Sequence, residues 1–143
     1  MDPIILHTDG GSLGNPGPSA VGVVIEYENQ KKTYAEDIGY GTNNEAEYKA
    51  LILALRKTKS LIGSQKAKKA QLVCYLDSLL VVNQLNHQYQ IKNEKIVPLF
   101  ITIWNLMLEF GQVNFRHVPR EQNQEADDLV KSVFKKDDQK VLF

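Results

Sequence analysis

Apolar residues alternate with polar ones, run together or recur at helical spacing in a definite order along this chain, and that order predicts its elements. Ile4, Ile5 and Leu6 make an apolar run too short for a helix, so residues 4–8 read as a buried strand. Val21, Val23, Ile25 and Tyr27 alternate with Gly22, Val24, Glu26 and Glu28, the period of a strand with one buried face. A turn at Asn29-Gln30 and a return strand over 31–38, ending at Gly39, complete an antiparallel meander. At Thr42-Asn43-Asn44 the period changes. Ala50, Leu51, Ala54 and Leu55 fall three, four, seven and eight residues after Glu47, the stripe of a long helix capped by Thr or Asn. Gln71 to Leu76 reads as another buried strand, and Ser78 starts a helix through about Leu85. Glu94 or Lys95 to Phe110 is a helix stopped by Gly111, and Gln112 to His117 is the last strand. The terminal helix runs from about Gln122 to Phe134 on a stripe of Ala126, Leu129, Val130 and Val133.

Strand, helix, strand, helix implies parallel neighbours joined by right-handed crossovers. The pattern therefore predicts an α/β fold: a five-stranded mixed sheet, three antiparallel strands and then parallel ones, with helices on both faces. Ligands of such sheets bind beyond the carboxyl ends of the strands. The segment Asp9-Gly10-Gly11-Ser12-Leu13-Gly14-Asn15-Pro16-Gly17 reads as a turn that no strand continues through, leaving Asp9 as the first strand's last residue. Asp77 follows the fourth strand, so the two aspartates are expected as neighbours at one mouth. Gly10 and Gly11 are expected to let a foreign backbone approach and to offer amides to phosphate or sugar oxygens.

Composition narrows the picture. With 143 residues, 43% of them hydrophobic, residues 1–143 suit a single domain with its own core, and 135–143 are expected to form a mobile tail. The longest apolar stretch, 97–108, is interrupted by Pro98, Thr102 and Asn105 and falls short of the ~20 residues that span a bilayer. No signal peptide is legible at the N-terminus, which makes cytoplasmic residence the default expectation. The single cysteine, Cys74, sits in an apolar run, which suits a core position and excludes a cysteine-based metal site. Seventeen basic and seventeen acidic residues cancel. Arg56, Lys57, Lys59, Lys66, Lys68 and Lys69 nevertheless follow one another without an acidic residue between, either a positive edge for a polyanion or a solvated helix end.

Candidate chemistry lies in the acidic residues. Glu47 rides on the stripe that should face the sheet, where a carboxylate needs a cation or hydrogen-bond donor. Its place in the helix's first turn equally suits an outward carboxylate that favours the helix dipole.

Four segments then resemble type 1 ribonuclease H in order and in element. They are the Asp9 to Gly17 stretch after the first strand, Thr42-Asn43-Asn44-Glu45-Ala46-Glu47-Tyr48 opening the long helix, Asp77-Ser78 after the fourth strand, and His117 followed by Asn123-Gln124-Glu125-Ala126-Asp127. The resemblance covers residues 4–134 and implies the ribonuclease H-like fold. It also implies endonucleolytic hydrolysis of the RNA strand of RNA/DNA hybrids, leaving 5′-phosphate and 3′-hydroxyl ends. By the same resemblance Asp9 bridges two metals, Glu47 and Asp77 complete one site, Asp127 completes the other, and His117 assists proton transfer or product departure. Carboxylate and water ligands suit Mg²⁺ or Mn²⁺, and nothing argues for zinc. Two such ions about 3.5 to 4 Å apart would activate a water on one side of a phosphodiester and stabilise the leaving oxygen on the other.

Substrate contacts follow the same likeness. The amides of Gly10, Gly11 and Ser12 and the side chains of Asn15, Asn43 and Asn44 resemble readers of the hybrid's minor groove, where 2′-hydroxyls mark the RNA strand. Thr42 resembles a residue that grips a DNA-strand phosphate. Capping and turn chemistry is the other reading of the asparagines, and a last strand that alternates through His117 would turn that histidine sideways into the structure. Arg120 either contacts phosphate or pairs with Glu121 or Glu125. The lysine-rich, tryptophan-containing insertion of the best-known bacterial members is missing between Asp77 and His117, where Lys92 and Lys95 remain. Binding is therefore expected to be weaker or to use another surface, and to depend on salt. A monomer is expected. The reading from a different class is a hybrid-binding module without catalysis, which the presence of all four carboxylates disfavours.

Overall fold

A computed structural model describes residues 2–141, with side chains through residue 136. In chain order the elements are β1 Ile4–Ser12, β2 Gly17–Tyr27, β3 Gln30–Gly41, α1 Asn43–Ile62, α2 Ser64–Ala67, β4 Gln71–Leu76, α3 Leu79–Leu85, α4 Val97–Met107, β5 Gln112–His117, a 3₁₀ turn Arg120–Gln122 and α5 Gln124–Val141. The sheet order is β3-β2-β1-β4-β5. β1, β2 and β3 pair antiparallel, whereas β4 lies parallel to both β1 and β5. This is the expected mixed sheet. Helices α1, α3 and α4 share one side of it, and α5 lies across β1, β2 and β3.

Several boundaries differ from the sequence reading. β1 does not stop at Asp9 but continues through Gly10, Gly11 and Ser12, because β2 pairs with it as far as Ser12↔Ser19. The β2–β3 hairpin turns on Glu28 and Asn29, both at positive φ (49° and 63°), one residue before the expected Asn29-Gln30. That left-handed pair matches the twist of the flanking strands. β2 is buried on both faces from Ser19 to Ile25, so the expected one-sided alternation fails. Its faces are shared between α1 and α5. α4 starts at Val97, later than Glu94 or Lys95, with Pro98 in its first turn, where the missing N–H has no helical partner to lose. α5 begins after the 3₁₀ turn and runs past Phe134 to Val141; Leu142 and Phe143 lie outside the described residues.

The core joins Ile4, Leu6, Leu72, Cys74 and Leu76 of the sheet to Tyr48, Leu51 and Leu55 of α1 and Ile103 of α4. Cys74 is buried, which pushes its thiol up to about 12. Thr42 caps α1 reciprocally: its Oγ1 accepts from the Glu45 N–H at 3.2 Å, and the Glu45 carboxylate accepts from the Thr42 N–H at 3.4 Å. No helix among the described residues is long and apolar enough to cross a membrane.

Candidate active site

The site starts where the parallel ladder stops. His7↔Tyr75 is the last pair joining β1 to β4, and two residues further along the two strands stand Asp9 and Asp77. Beyond that point β1 is paired with β2 alone, which opens a notch beside both carboxylates. Two glycines bring the helices to it. A Cβ on Gly10 would lie 2.3 Å from the Ala46 carbonyl carbon, so the first turn of α1 rests on the β1 backbone and carries Glu47 with it. Gly22, opposite Asp9 on β2, does the same for α5: a Cβ there would lie 2.4 Å from the Ala126 carbonyl oxygen, one residue before Asp127.

One ligand atom each from Asp9, Glu47 and Asp77 lies within 4.8 Å of the others. Asp127 joins these three in lining a cleft of about 480 Å³, with Gly10, Gly11, Ser12, Asn43, Arg120 and Lys131 among its other walls. Glu47 is buried, so of its two sequence readings the inward one holds.

Burial and mutual repulsion govern the charges. Burial, and next the charge of Asp77, push the Asp9 carboxyl up to about 7. Glu47 is held well above the ordinary carboxylate range by burial and by Asp9, with the Gly10 backbone N–H pulling the other way. Its Oε2 is buried without a hydrogen-bond partner. At Asp127 burial alone would also raise the carboxyl, but the Lys131 ammonium at 2.9 Å, Asp9 and the Arg120 guanidinium at 3.7 Å together hold it lowered. Crowded, partly protonated carboxylates with an orphaned oxygen form a donor set suited to a hard divalent cation.

The sequence-predicted residues fall into three groups. Asp9, Glu47, Asp77 and Asp127 share the cleft. Ser12, Asn15 and Asn43 interlock at its rim: Asn43 Oδ1 accepts from the Ser12 N–H at 2.8 Å and from Ser12 Oγ at 3.1 Å, and Asn15 Oδ1 accepts from the Asn43 N–H at 2.9 Å. Thr42 caps α1, as above, and Asn44 is half-buried in the same turn. His117 forms the third group. It ends β5 opposite Leu76, exposed instead of turned into the structure, and does not line the cleft.

Other expectations need correction. The space a Cβ on Gly10 would take is filled by the chain's own helix α1, while Gly10 still lines the cleft beside half-exposed Gly11. Arg120 pairs with Asp127, while Glu125 is taken by Lys31 at 3.0 Å. Within the basic run, Lys57 sits over the Tyr34 ring, Lys59 bonds Glu109 and Lys66 reaches the Tyr27 hydroxyl, so one of its charges is paired with an acid.

Two residues escaped the sequence reading. Buried Asn123 donates from Nδ2 to the Thr8 carbonyl at 2.8 Å and to Asp77 Oδ2 at 3.4 Å, tying the start of α5 to the strand end beneath the site. Nothing local marks an asparagine for that task. Lys131 stands four residues after Asp127, the spacing of helical ion pairs, and that signal was available.

Comparison with known proteins agrees with this geometry. Residues 7–133 match the family model described as reverse transcriptase-like. The chain is 34% identical over 129 residues to the bifunctional protein Rv2228c of Mycobacterium tuberculosis, an alignment covering 88% of this chain and 34% of that protein. It thus spans about a third of the length of the mycobacterial relatives it matches. It is 30% identical over 141 residues to a ribonuclease H of Desulforamulus reducens, covering 88% of this chain and 84% of that one. Among solved structures, LC11-RNase H1 in complex with an RNA/DNA hybrid superposes with a TM-score of 0.84 at 37% identity, over 90% of this chain and 94% of its own. With residues 7–133, all four carboxylates among them, matching that family model, and with 84% of the Desulforamulus reducens ribonuclease H covered at 30% identity, the chain belongs to the ribonuclease H family.

Proposed function

We propose that this domain hydrolyses the RNA strand of RNA/DNA hybrids with two divalent cations, Mg²⁺ or Mn²⁺, leaving 5′-phosphate and 3′-hydroxyl ends. The observation that carries the reading is the meeting of one carboxylate oxygen each from Asp9, Glu47 and Asp77 within 4.8 Å of one another, with Glu47 Oε2 buried and unpartnered. Asp9, Glu47 and Asp77 would hold one cation, and Asp9 with Asp127 the other. Such ions, when bound, polarise a phosphoryl oxygen and lower the pKa of an attacking water.

The chain's own groups do the rest. Asn123 orients Asp77 from below. Arg120 and Lys131 keep Asp127 ionised and stand exposed at the cleft wall, where phosphate oxygens would pass. Asn43 Oδ1 is occupied by Ser12, which leaves its amide N–H groups as donors toward a groove, and the Ser12, Asn15 and Asn43 cluster fixes their direction. His117, exposed at the end of β5, is assigned proton transfer or product departure. All four carboxylates come from one copy, which supports a single chain as the catalytic unit.

The test compares end-labelled RNA annealed to DNA with the same RNA annealed to RNA, with and without Mg²⁺, and with Asp9→Asn as control. Cleavage of the hybrid alone, only with Mg²⁺ and not by the variant, is expected. Equal cutting of both duplexes defeats the hybrid assignment, and cutting in chelator defeats the cation mechanism.

A further inference from the structure

The fourth carboxylate of the cleft is partnered unlike the other three. Asp9, Glu47 and Asp77 each bring one oxygen within 4.8 Å of the others, a set that Asp127 does not join. Among the described residues no lysine or arginine pairs with any of those three, and Glu47 Oε2 has no partner at all. Asp127 has cations of its own chain on both oxygens. Lys131 Nζ stands 2.9 Å from Oδ2, where the Gln124 amide also reaches at 3.5 Å, and the Arg120 guanidinium stands 3.7 Å from Oδ1, beyond hydrogen-bond reach. Of the two seats that divalent cations would take, the chain itself thus supplies positive charge to one. Helix geometry aims the lysine: four residues after Asp127 on α5 it lies on the same face, and helical side chains lean back toward the N-terminus. The pair is also lopsided. The Asp127 side chain is 8% exposed and that of Lys131 62%, so the carboxylate is fixed while the ammonium, on a flexible stem, can swing into water.

We propose that the Lys131 ammonium is the resident cation of the seat between Asp9 and Asp127, keeping the second divalent cation off Asp127 until a phosphate of the bound strand draws the lysine away. This rests on the two-cation reading above and adds an order of events to it. Oδ2 cannot serve as a direct cation ligand while an ammonium sits on it at hydrogen-bond distance, because the two positive charges would then stand almost in contact. A divalent cation therefore has to displace the lysine, a cost that the seat formed by Asp9, Glu47 and Asp77 does not carry. Release is easy once nucleic acid arrives. Lys131 lines the cleft wall, and a solvated ammonium exchanges one anionic partner for another with little net change. Moving it to a phosphate strips Asp127 of its nearest counter-charge just as a divalent cation is needed to replace it. The cleft so built keeps its fourth carboxylate neutralised while idle and completes its cation set together with the substrate.

Mn²⁺ binding to the substrate-free full chain, read from the paramagnetic resonance signal of the unbound ion, tests the occupancy. The wild type is expected to bind one ion well and a second far more weakly. Lys131→Met, which keeps the stem and removes the charge, should tighten the second roughly 5-fold and leave the first little changed. In an Asp127→Asn chain the same substitution should leave Mn²⁺ binding little changed throughout. Second-ion binding that ignores Lys131→Met overturns the proposal. An equal tightening that persists beside Asp127→Asn also overturns it, since that is the general field of one positive charge and not a contact with Asp127. Lys131→Gln replaces Lys131→Met if circular dichroism shows the latter unfolded. The hand-over to phosphate is read from hybrid affinity by fluorescence anisotropy in the Asp9→Asn protein. Adding Lys131→Met should reduce the slope of log affinity against log salt by about one, and an unchanged slope overturns the hand-over. A wild type that binds no Mn²⁺ removes the two-cation reading itself, whereas a wild type that binds two ions equally well removes the role of Lys131 alone.

Discussion

Asp9 keeps a proton that its surroundings force on it. Its folded value of about 7 stands above an ordinary value of 3.8, so between those limits the folded chain binds a proton that the unfolded chain has released. Stability of the cation-free protein from this group is therefore greatest at low pH and is lost as pH rises through about 7. In thermal unfolding without divalent cations, Asp9→Asn should flatten the decline in melting temperature from pH 5 to pH 8. It should also raise the melting temperature at pH 8, by about 3 °C for each kcal/mol of repulsion removed. The same variant should lose activity roughly 10³-fold, since a cation ligand supplies several kcal/mol of transition-state stabilisation. Mg²⁺ should stabilise the wild type more at pH 8 than at pH 5.5 and leave the variant unmoved. Asn123→Ala strips partners from the Thr8 carbonyl and Asp77; it should cost roughly 1–3 kcal/mol in denaturant unfolding and weaken Mn²⁺ binding roughly 10- to 100-fold by titration. Asp9 and Asp77 were legible because each follows an apolar run. Asn123 was not, since its partners lie on other elements.

At the scale of elements, the strands and long helices followed from periodicity, but the fate of the glycine segment did not. Glycines in a polar stretch signal a turn when judged locally. Here the ladder to β2 holds Gly10 and Gly11 in the strand, and the space their missing side chains leave is filled differently. Gly10→Ala would drive a methyl group into the Ala46 backbone and should destabilise by roughly 3 kcal/mol or more. Gly11→Ala, whose Cβ would meet Val130 at an ordinary 3.7 Å, should stay within about 1 kcal/mol by denaturant midpoint. Equal costs would refute the close approach of α1. Glu47 illustrates the same limit: its stripe position suggested an inward carboxylate, but its facing Asp9 depends on how far α1 sinks onto the sheet.

For the whole molecule, the order of elements was enough to specify an α/β sheet open at the carboxyl ends of β1 and β4. The surface field was harder to foresee, because the partners of Lys57, Lys59 and Lys66 come from elsewhere in the fold. With Arg120 and Lys131 the cations lining the cleft, two or three phosphate contacts are expected. Hybrid affinity of the Asp9→Asn protein, measured by fluorescence anisotropy, should then fall roughly 10- to 40-fold between about 50 and 200 mM salt. A flat response would remove phosphate contact from the account. The four carboxylates are drawn from β1, α1, the end of β4 and α5, nearly the full span of the chain. A polypeptide still emerging from the ribosome owns three of them but lacks the helix that bears the fourth. On the proposed reading, the nascent chain has no complete two-cation site until α5 has emerged and docked.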